Sequence, residues 1–372
     1  GRCGGWRRLA QPSGGRGRAA RGVAGALNST RERMDESTVR IALVGCGYWG
    51  PNLARNLSQV NGGRLMVCTD TDAQALARME RQYPQVEMTT DSTAVLQRSD
   101  IDAVVLATPA RTHAGLALEA LAAGKHVFVE KPLALSVADA EQMVAAAQAG
   151  SRVLMVGHVF EYHPALRHIK QLLDKGELGD LYYLYSTRVN LGRVQADINA
   201  LWSIAPHDIA IMLHLVGGLP LRVSAHGQAF LSGSVEDVVF VNLEFAGGVI
   251  GHIHASWLDP SKTRQLTVVG SRRMVVYDDV ASEGKVKIYD KGVYRKNEPG
   301  YGEFQVKVHS GDITIPRLDM TEPLQLECQH YVDCIREGRT PLTDGVNGLQ
   351  VVRVLAAAQA SLAAGGLSVA VA

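Results

Sequence analysis

The sequence predicts an α/β protein: a parallel sheet covered by helices in the first half, then an α/β half with a largely antiparallel open sheet. Three observations predict it. Between Val39 and His158, short apolar runs alternate with stretches of helical spacing. Beyond about His158 the runs lengthen, alternate apolar with polar residues and follow one another directly. The last stretches, "EPLQLECQHYVDCIREG" and "DGVNGLQVVRVLAAAQASLAAGG", return to helical periodicity.

In the first half, "VRIALVG" is an apolar run, "PNLARNLSQV" a helix, "RLMVCTD" a second run and "TDAQALARMERQYP" a second helix. "DAVVLATP", "THAGLALEALAAG", "KHVFVE", the capped "SVADAEQMVAAAQAG" ending at Gly150, and "RVLMVGH" continue the alternation. Strands separated by helices of this length form βαβ units. In the second half the helix "HPALRHIKQLLDKG" precedes "GDLYYLYSTRVN", "LRVSAHGQAF", "VEDVVFVNLEFAGGVIGHIHASW", "RQLTVVGS" and "RMVVYDD". Gly247-Gly248 between two alternating runs signals a hairpin.

A length of 372 residues allows two domains, each with its own core. A formal net charge of +1 argues against nucleic acid or an anionic membrane as partner. No uninterrupted apolar run approaches the roughly 18 residues that cross a bilayer. The five cysteines (Cys3, Cys46, Cys68, Cys328, Cys334) are scattered without a CxxC, the pattern of reduced thiols in a cytoplasmic protein. Residues 1–33 are rich in Gly and Arg and show no periodicity, so residues 1–37 are expected to be a disordered extension. Its composition resembles a transit peptide, but "MDESTVRIALVG" from Met34 reads as a natural start. The expected division is that extension, a nucleotide-binding domain over 38–157, and a substrate-binding and oligomerisation domain over 158–372.

Gly45-Cys46-Gly47-Tyr48-Trp49-Gly50 follows an apolar strand and opens a helix, and Asp70 ends the next strand. Glycines there allow a tight turn and backbone approach to a pyrophosphate, while the helix start attracts the anion. Asp70 would accept from a ribose 2′-hydroxyl and repel a 2′-phosphate, which favours NAD over NADP. This is a dinucleotide-binding Rossmann signature. Cys46 reads as a small residue tolerated beside phosphates. "ATPARTH" (107–113) ends a further strand at the ligand-binding edge, making Thr108, Pro109 and His113 candidate cofactor contacts. Glu130 and Lys131, ahead of Pro132, end yet another strand on that edge. A charge there faces either solvent or the cofactor cleft, because dry burial costs several kcal/mol.

Together, the Gly-rich strand–helix, Asp70, the "ATP…H" segment and Glu130-Lys131-Pro132 resemble the Gfo/Idh/MocA family of NAD(P)-dependent sugar dehydrogenases, from about Val39 to Gly366. The resemblance implies a Rossmann domain joined to an open α/β domain whose sheet face binds substrate and commonly forms an oligomer interface. It implies that Lys131 is catalytic and that the Lys131–Pro132 bond can be cis. The family's second catalytic element is an Asp four residues before a His. In "INALWSIAPHDIAIMLHLVGG" the histidine is His207, and the Asp position holds Ser203. Serine is no carboxylate base, so the proton acceptor falls to His207. Pro206 suits a first helical position, which would put His207 in the first turn, where the helix dipole keeps it neutral.

"VGHVFEYHPALRHIK", "STRVNLGR" and "ALWSIAPHD" resemble the branch that acts on nucleotide-linked sugars, including UDP-N-acetylglucosaminuronate 3-dehydrogenases. Tyr162, Arg188, Asn190, Arg193 and Asn199, with His207, are the candidate substrate contacts; arginine suits phosphate through its bidentate fork. His252 and His254 share a strand face, but with no third ligand nearby they read as packed or solvated rather than as a metal pair. The expected function is NAD-dependent oxidation of a secondary hydroxyl of a pyranose, carried on a nucleoside diphosphate, by a cytoplasmic homodimer or homotetramer. The alternatives are a dehydrogenase of a free polyol such as inositol or glucose, and a non-catalytic NAD(H)-binding sensor.

Overall fold

A computed structural model describes residues 38–192, 198–231, 233, 235–295 and 306–371. The expected N-terminal extension and Arg193 lie outside these residues.

The first sheet contains β1 (Val39–Val44), β2 (Gly63–Thr69), β3 (Glu87–Thr89), β4 (Ala103–Leu106), β5 (His126–Val129) and β6 (Leu154–Val156). Between them run α1 (Gly50–Leu57), α2 (Ala73–Gln82), α3 (Ser92–Gln97), α4 (His113–Ala122) and α5 (Val137–Ala149). The strand order is β3-β2-β1-β4-β5-β6, and each neighbouring pair is parallel. The order reverses between β1 and β4, which places the ligand crevice outside their carboxyl ends. β1 and β4 are buried almost throughout because helices cover both faces. Helix starts are set by short acceptors: Asp72 caps α2, Asp91 caps α3 and Ser136 caps α5.

The second half begins with α6 (Pro164–Asp174), β7 (Leu181–Val189) and α7 (Ala200–Val216). It continues through β8 (Arg222–Gln228), β9 (Val238–Glu244), β10 (Ile250–Ser256), β11 (Thr263–Gly270), β12 (Met274–Asp278), β13 (Val286–Arg295) and β14 (Val306–Thr314). α8 (Pro323–Glu337), α9 (Gly345–Ala363) and β15 (Val369–Ala370) complete the described chain. The sheet order is β14-β13-β12-β11-β7-β10-β9-β8-β15, antiparallel except for the parallel pair β7–β10. β9 and β10 form the hairpin at Gly247-Gly248, both at positive φ. β13 and β14 are additions to the sequence reading. Their segments are rich in Lys, Asp and Gly, so a solvated edge pair shows little apolar contrast.

One face of the second sheet packs on α6, α7 and α9 around Leu184, Val241, Ile253 and Val268. Its other face presents Tyr183, Tyr185, Phe240 and Ile250 outward. The division at residue 157 is not a clean cut in the core. Leu324, Cys328, Tyr331 and Val332 of α8 fill one side of the first sheet, and Leu349 and Val352 of α9 fill the other. Among the described residues no helix is long and apolar enough to cross a membrane.

Candidate active site

The glycine turn leaves β1 at the switch point. Gly45 has φ +100°, and a Cβ there would lie 2.6 Å from the Ala107 carbonyl carbon at the end of β4. A Cβ on Gly50 would lie 2.3 Å from the Gly45 oxygen, so the strand–helix approach needs both glycines. Gly47 meets nothing within 4 Å, leaving an open backbone face. α1 follows Trp49 without a side-chain cap; Pro51 has no N–H and the Asn52 amide donates to the Trp49 carbonyl at 3.0 Å, which leaves the Gly50 amide at the helix start for an anion. The Asp70 carboxylate accepts from the Cys46 amide at 2.6 Å and from the Asp72 amide at 2.8 Å, fixing it beside the turn. Cys46 itself is buried, and every cysteine among the described residues is a free thiol.

Across the crevice, Thr108 lines the cleft and its hydroxyl meets that of Thr112 at 2.7 Å. Pro109 precedes a short 3-10 turn outside the cleft lining. His113 is a correction to the expected cofactor contacts. It is buried, with Nδ1 2.8 Å from the Pro132 carbonyl and Nε2 2.9 Å from the Thr108 carbonyl, so it braces two loops from behind.

Glu130 and Lys131 leave β5 into the crevice, and the Lys131–Pro132 bond is cis. Burial raises the Glu130 carboxyl to about 7, against the opposing pull of the Lys131 ammonium. Burial likewise lowers the Lys131 pKa, Glu130 opposes this, and Arg188 and Arg264 lower it further. Lys131 Nζ donates to the Ser203 carbonyl of α7 at 3.1 Å. The amine of the first half thus reaches the helix carrying His207.

α7 corrects the expected register. Its N-cap is Asn199, whose side-chain oxygen accepts from the Trp202 amide at 3.1 Å, and Pro206 lies inside the helix. His207 is therefore two turns in, beyond reach of the dipole at the helix start. Its pKa is nevertheless well below the ordinary value. Burial is the main cause, followed by the charges of Lys131 and Arg188, with His158 and Arg264 behind them. Proline favours the first helical turn, but here the capping signal is Asn199, and Pro206 is accommodated inside the helix. Asn199 also donates to Glu236 and Gln359, so its side chain is occupied by the fold. Tyr162 too is withdrawn from the cleft: it is buried, with its hydroxyl 3.3 Å from Thr343 Oγ1.

One cleft of ≈ 620 Å³ gathers Tyr48, Trp49, Thr108, Glu130, Lys131, Arg188, Asn190, Ser203 and His207. Phe160, Trp257 and Arg264 also line it, and the sequence reading missed all three. Arg188 donates from Nε to Asp208 at 2.6 Å and lies 4.5 Å over the Phe160 ring. Phe160 also meets the His207 ring edge-on at 5.1 Å. Arg264 had no local signal, since only the β11–β7 register carries it here. His252 and His254 lie elsewhere: His252 bonds Asn242 at 2.8 Å, and Phe240 stacks on both rings. Among the described residues no His/Cys/Asp/Glu group has metal-holding geometry.

Residues 39–158 match the oxidoreductase family GFO_IDH_MocA, NAD-binding Rossmann fold, and residues 166–276 match the GFO/IDH/MocA C-terminal domain. The chain belongs to the Gfo/Idh/MocA family. It is 27% identical over 325 residues to the scyllo-inositol 2-dehydrogenase (NAD(+)) of Bacillus subtilis, covering 84% of this chain and 90% of that protein. It is 26% identical over 327 residues to the UDP-N-acetylglucosamine 3-dehydrogenase of Acidithiobacillus ferrooxidans, covering 86% and 95%. The match to the 2,7-anhydro-N-acetylneuraminate hydratase of Mediterraneibacter gnavus is 31% over 228 residues; it takes in 56% of this chain and spans only 59% of that relative's length. As a Gfo/Idh/MocA member the protein has an NAD-binding Rossmann domain, and the open Gly47 face, the uncapped α1 start and the anchored Asp70 fit that dinucleotide.

Behind the cleft, Glu327 of α8 is fully buried and neither carboxylate oxygen meets a protein donor. Burial raises its pKa well above the carboxylate range, and Glu130 and Glu161 raise it further. The folded state therefore keeps this proton after the unfolded chain has released it near pH 4.3. Stability from this group is complete below that pH and is lost as pH rises toward the folded value. Glu327→Gln keeps the shape without the ionisation. Its Tm should fall less than the wild type's between pH 5 and pH 8. Parallel Tm-against-pH curves would show that Glu327 does not titrate in this way.

Proposed function

We propose that this protein is an NAD-dependent dehydrogenase that oxidises a secondary hydroxyl of a pyranose carried on a nucleoside diphosphate. The observation that carries the proposal is that Lys131 and His207, from different halves of the chain, line one cleft beside the glycine turn. Bound NAD supplies the hydride acceptor. His207, neutral at pH 7 because its surroundings disfavour the cation, takes the hydroxyl proton. Lys131 hydrogen-bonds the same oxygen as it gains negative charge, a role for which its cleft-facing amine is suited. Glu130, with a pKa near 7, balances charge next to it. Tyr48, Trp49 and Thr108 are the cofactor-side wall, with Gly45, Gly47, Gly50 and Asp70 holding the dinucleotide.

Arg188 and Asn190 in the cleft, and the UDP-N-acetylglucosamine 3-dehydrogenase relative, support a nucleotide-linked substrate. The scyllo-inositol dehydrogenase relative, matched over most of its length, supports a free polyol as the second reading. We assign residues 38–157 to cofactor binding and 158–372 to the substrate side and self-association. The outward tyrosine-bearing face of the second sheet is the surface for a second copy, and the free cysteines suit a cytoplasmic location. The test is NADH formation on a panel of nucleotide sugars and free polyols at matched concentration. Faster turnover of nucleotide sugars supports the first reading and of polyols the second. If nothing is oxidised by a chain that binds NAD, a non-catalytic sensor replaces both.

A further inference from the structure

Two arginines enter the cleft from neighbouring strands. Arg188 of β7 and Arg264 of β11 stand directly opposite each other in the antiparallel register, and both line the cavity that holds Lys131 and His207. Like charges facing each other across a strand pair are destabilising unless something negative meets them. Arg188 has its counter-charge, since Asp208 accepts from Nε at 2.6 Å and from Nη2 at 3.3 Å.

Arg264 is provided for less well. Its contact is Nη1 to Asp279 Oδ2 at 3.4 Å, long for a charge-assisted bond, and its side chain stays 40% exposed. Asp279 is shared besides: it accepts from the Tyr277 hydroxyl at 2.9 Å and lies 3.8 Å from His163. Glu130 is the one carboxylate lining the cleft among the described residues, against Lys131, Arg188 and Arg264. With Arg188 matched by Asp208, the guanidinium on this wall left with a long, shared counter-ion is that of Arg264.

We propose that Arg264, with Arg188 beside it, clamps an anionic oxygen group of the substrate, so that the sugar oxidised here is a charged one. The inference rests on the dehydrogenase reading of Lys131 and His207 and extends it to substrate class. The anion is a carboxylate on the ring or a phosphate linked to it; both suit a planar guanidinium fork. Either would also oppose the field by which Arg188 and Arg264 hold Lys131 and His207 toward their neutral forms, easing proton uptake when the hydroxyl is deprotonated.

The test compares D-glucose, D-glucuronate and UDP-glucose with NAD, using wild type, Arg264→Gln and Arg264→Lys. Arg264→Gln should raise KM for the charged sugar by about 10- to 100-fold, at least tenfold more than for glucose, with the loss concentrated in KM rather than kcat. Arg264→Lys should recover part of it, because charge returns without the fork. Whether glucuronate or UDP-glucose shows the effect identifies the anion. Equal KM changes for neutral and charged sugars, or none for the charged ones, overturn the clamp. Should the wild type oxidise none of the three, the dehydrogenase reading fails on these substrates and binding decides the clamp. With NADH present, glucuronate or UDP-glucose must then raise the Tm of wild type more than that of Arg264→Gln. Equal shifts, or none, overturn it.

Discussion

Lys131→Ala is expected to lower kcat by about 10²–10³-fold, the usual loss when one donor to a developing alkoxide is removed. The amine is well placed for a large effect. It leaves the end of β5, lines the cleft with His207, and bonds the Ser203 carbonyl at 3.1 Å, so it spans the two halves. Alanine removes a partly desolvated amine, so the fold should tolerate it. NAD affinity, read by fluorescence titration, should stay within a few-fold because the glycine turn and Asp70 are untouched. Wild-type turnover would exclude Lys131 from the chemistry. Loss of NAD binding would instead make it a structural element of the cofactor cleft.

His207→Gln should cost about 10²–10⁴-fold in kcat/KM, the range for removing a general base. The pH dependence carries the sign. The proton acceptor is the neutral imidazole, and burial with the charges of Lys131 and Arg188 pushes its pKa well below the ordinary 6.5. Activity dependent on this group is thus retained through pH 6.5 and lost only at lower pH. Wild-type kcat/KM should show no inflection near 6.5 that disappears in His207→Gln, whereas one near 7 present in both proteins would report Glu130. Turnover of His207→Gln within a few-fold of wild type would assign the base to another group.

Ser203 illustrates what local comparison reaches and what it does not. The sequence shows serine where the family places an acid, and that alone bears on the choice of base. The structure adds that the backbone carbonyl of Ser203 receives Lys131, a contact no side-chain identity announces. His113 makes the same point in reverse. Its place after the "ATP" turn suggested a cofactor contact, yet the ring is consumed by the carbonyls of Thr108 and Pro132. Asn199 was legible as a helix cap by its spacing to Trp202, and the proline at 206 drew the reading away.

By itself the sequence determined the alternation that builds the parallel sheet, the glycine turn with its acid, and the strand ends that deliver Thr108, Glu130 and Lys131 to one edge. These follow from periodicities and turn chemistry spanning a few residues, which the chain carries wherever it is placed. Only the tertiary structure decided what faces that edge. Arg188 meets Arg264 because β7 pairs with β11, and His207 stands well inside its helix because Asn199 begins it. α8 closes the first sheet from the far end of the chain, carrying a buried carboxyl behind the cleft. Pairing register and desolvation arise from segments distant in sequence, so the charge each site residue bears is set only when those segments meet.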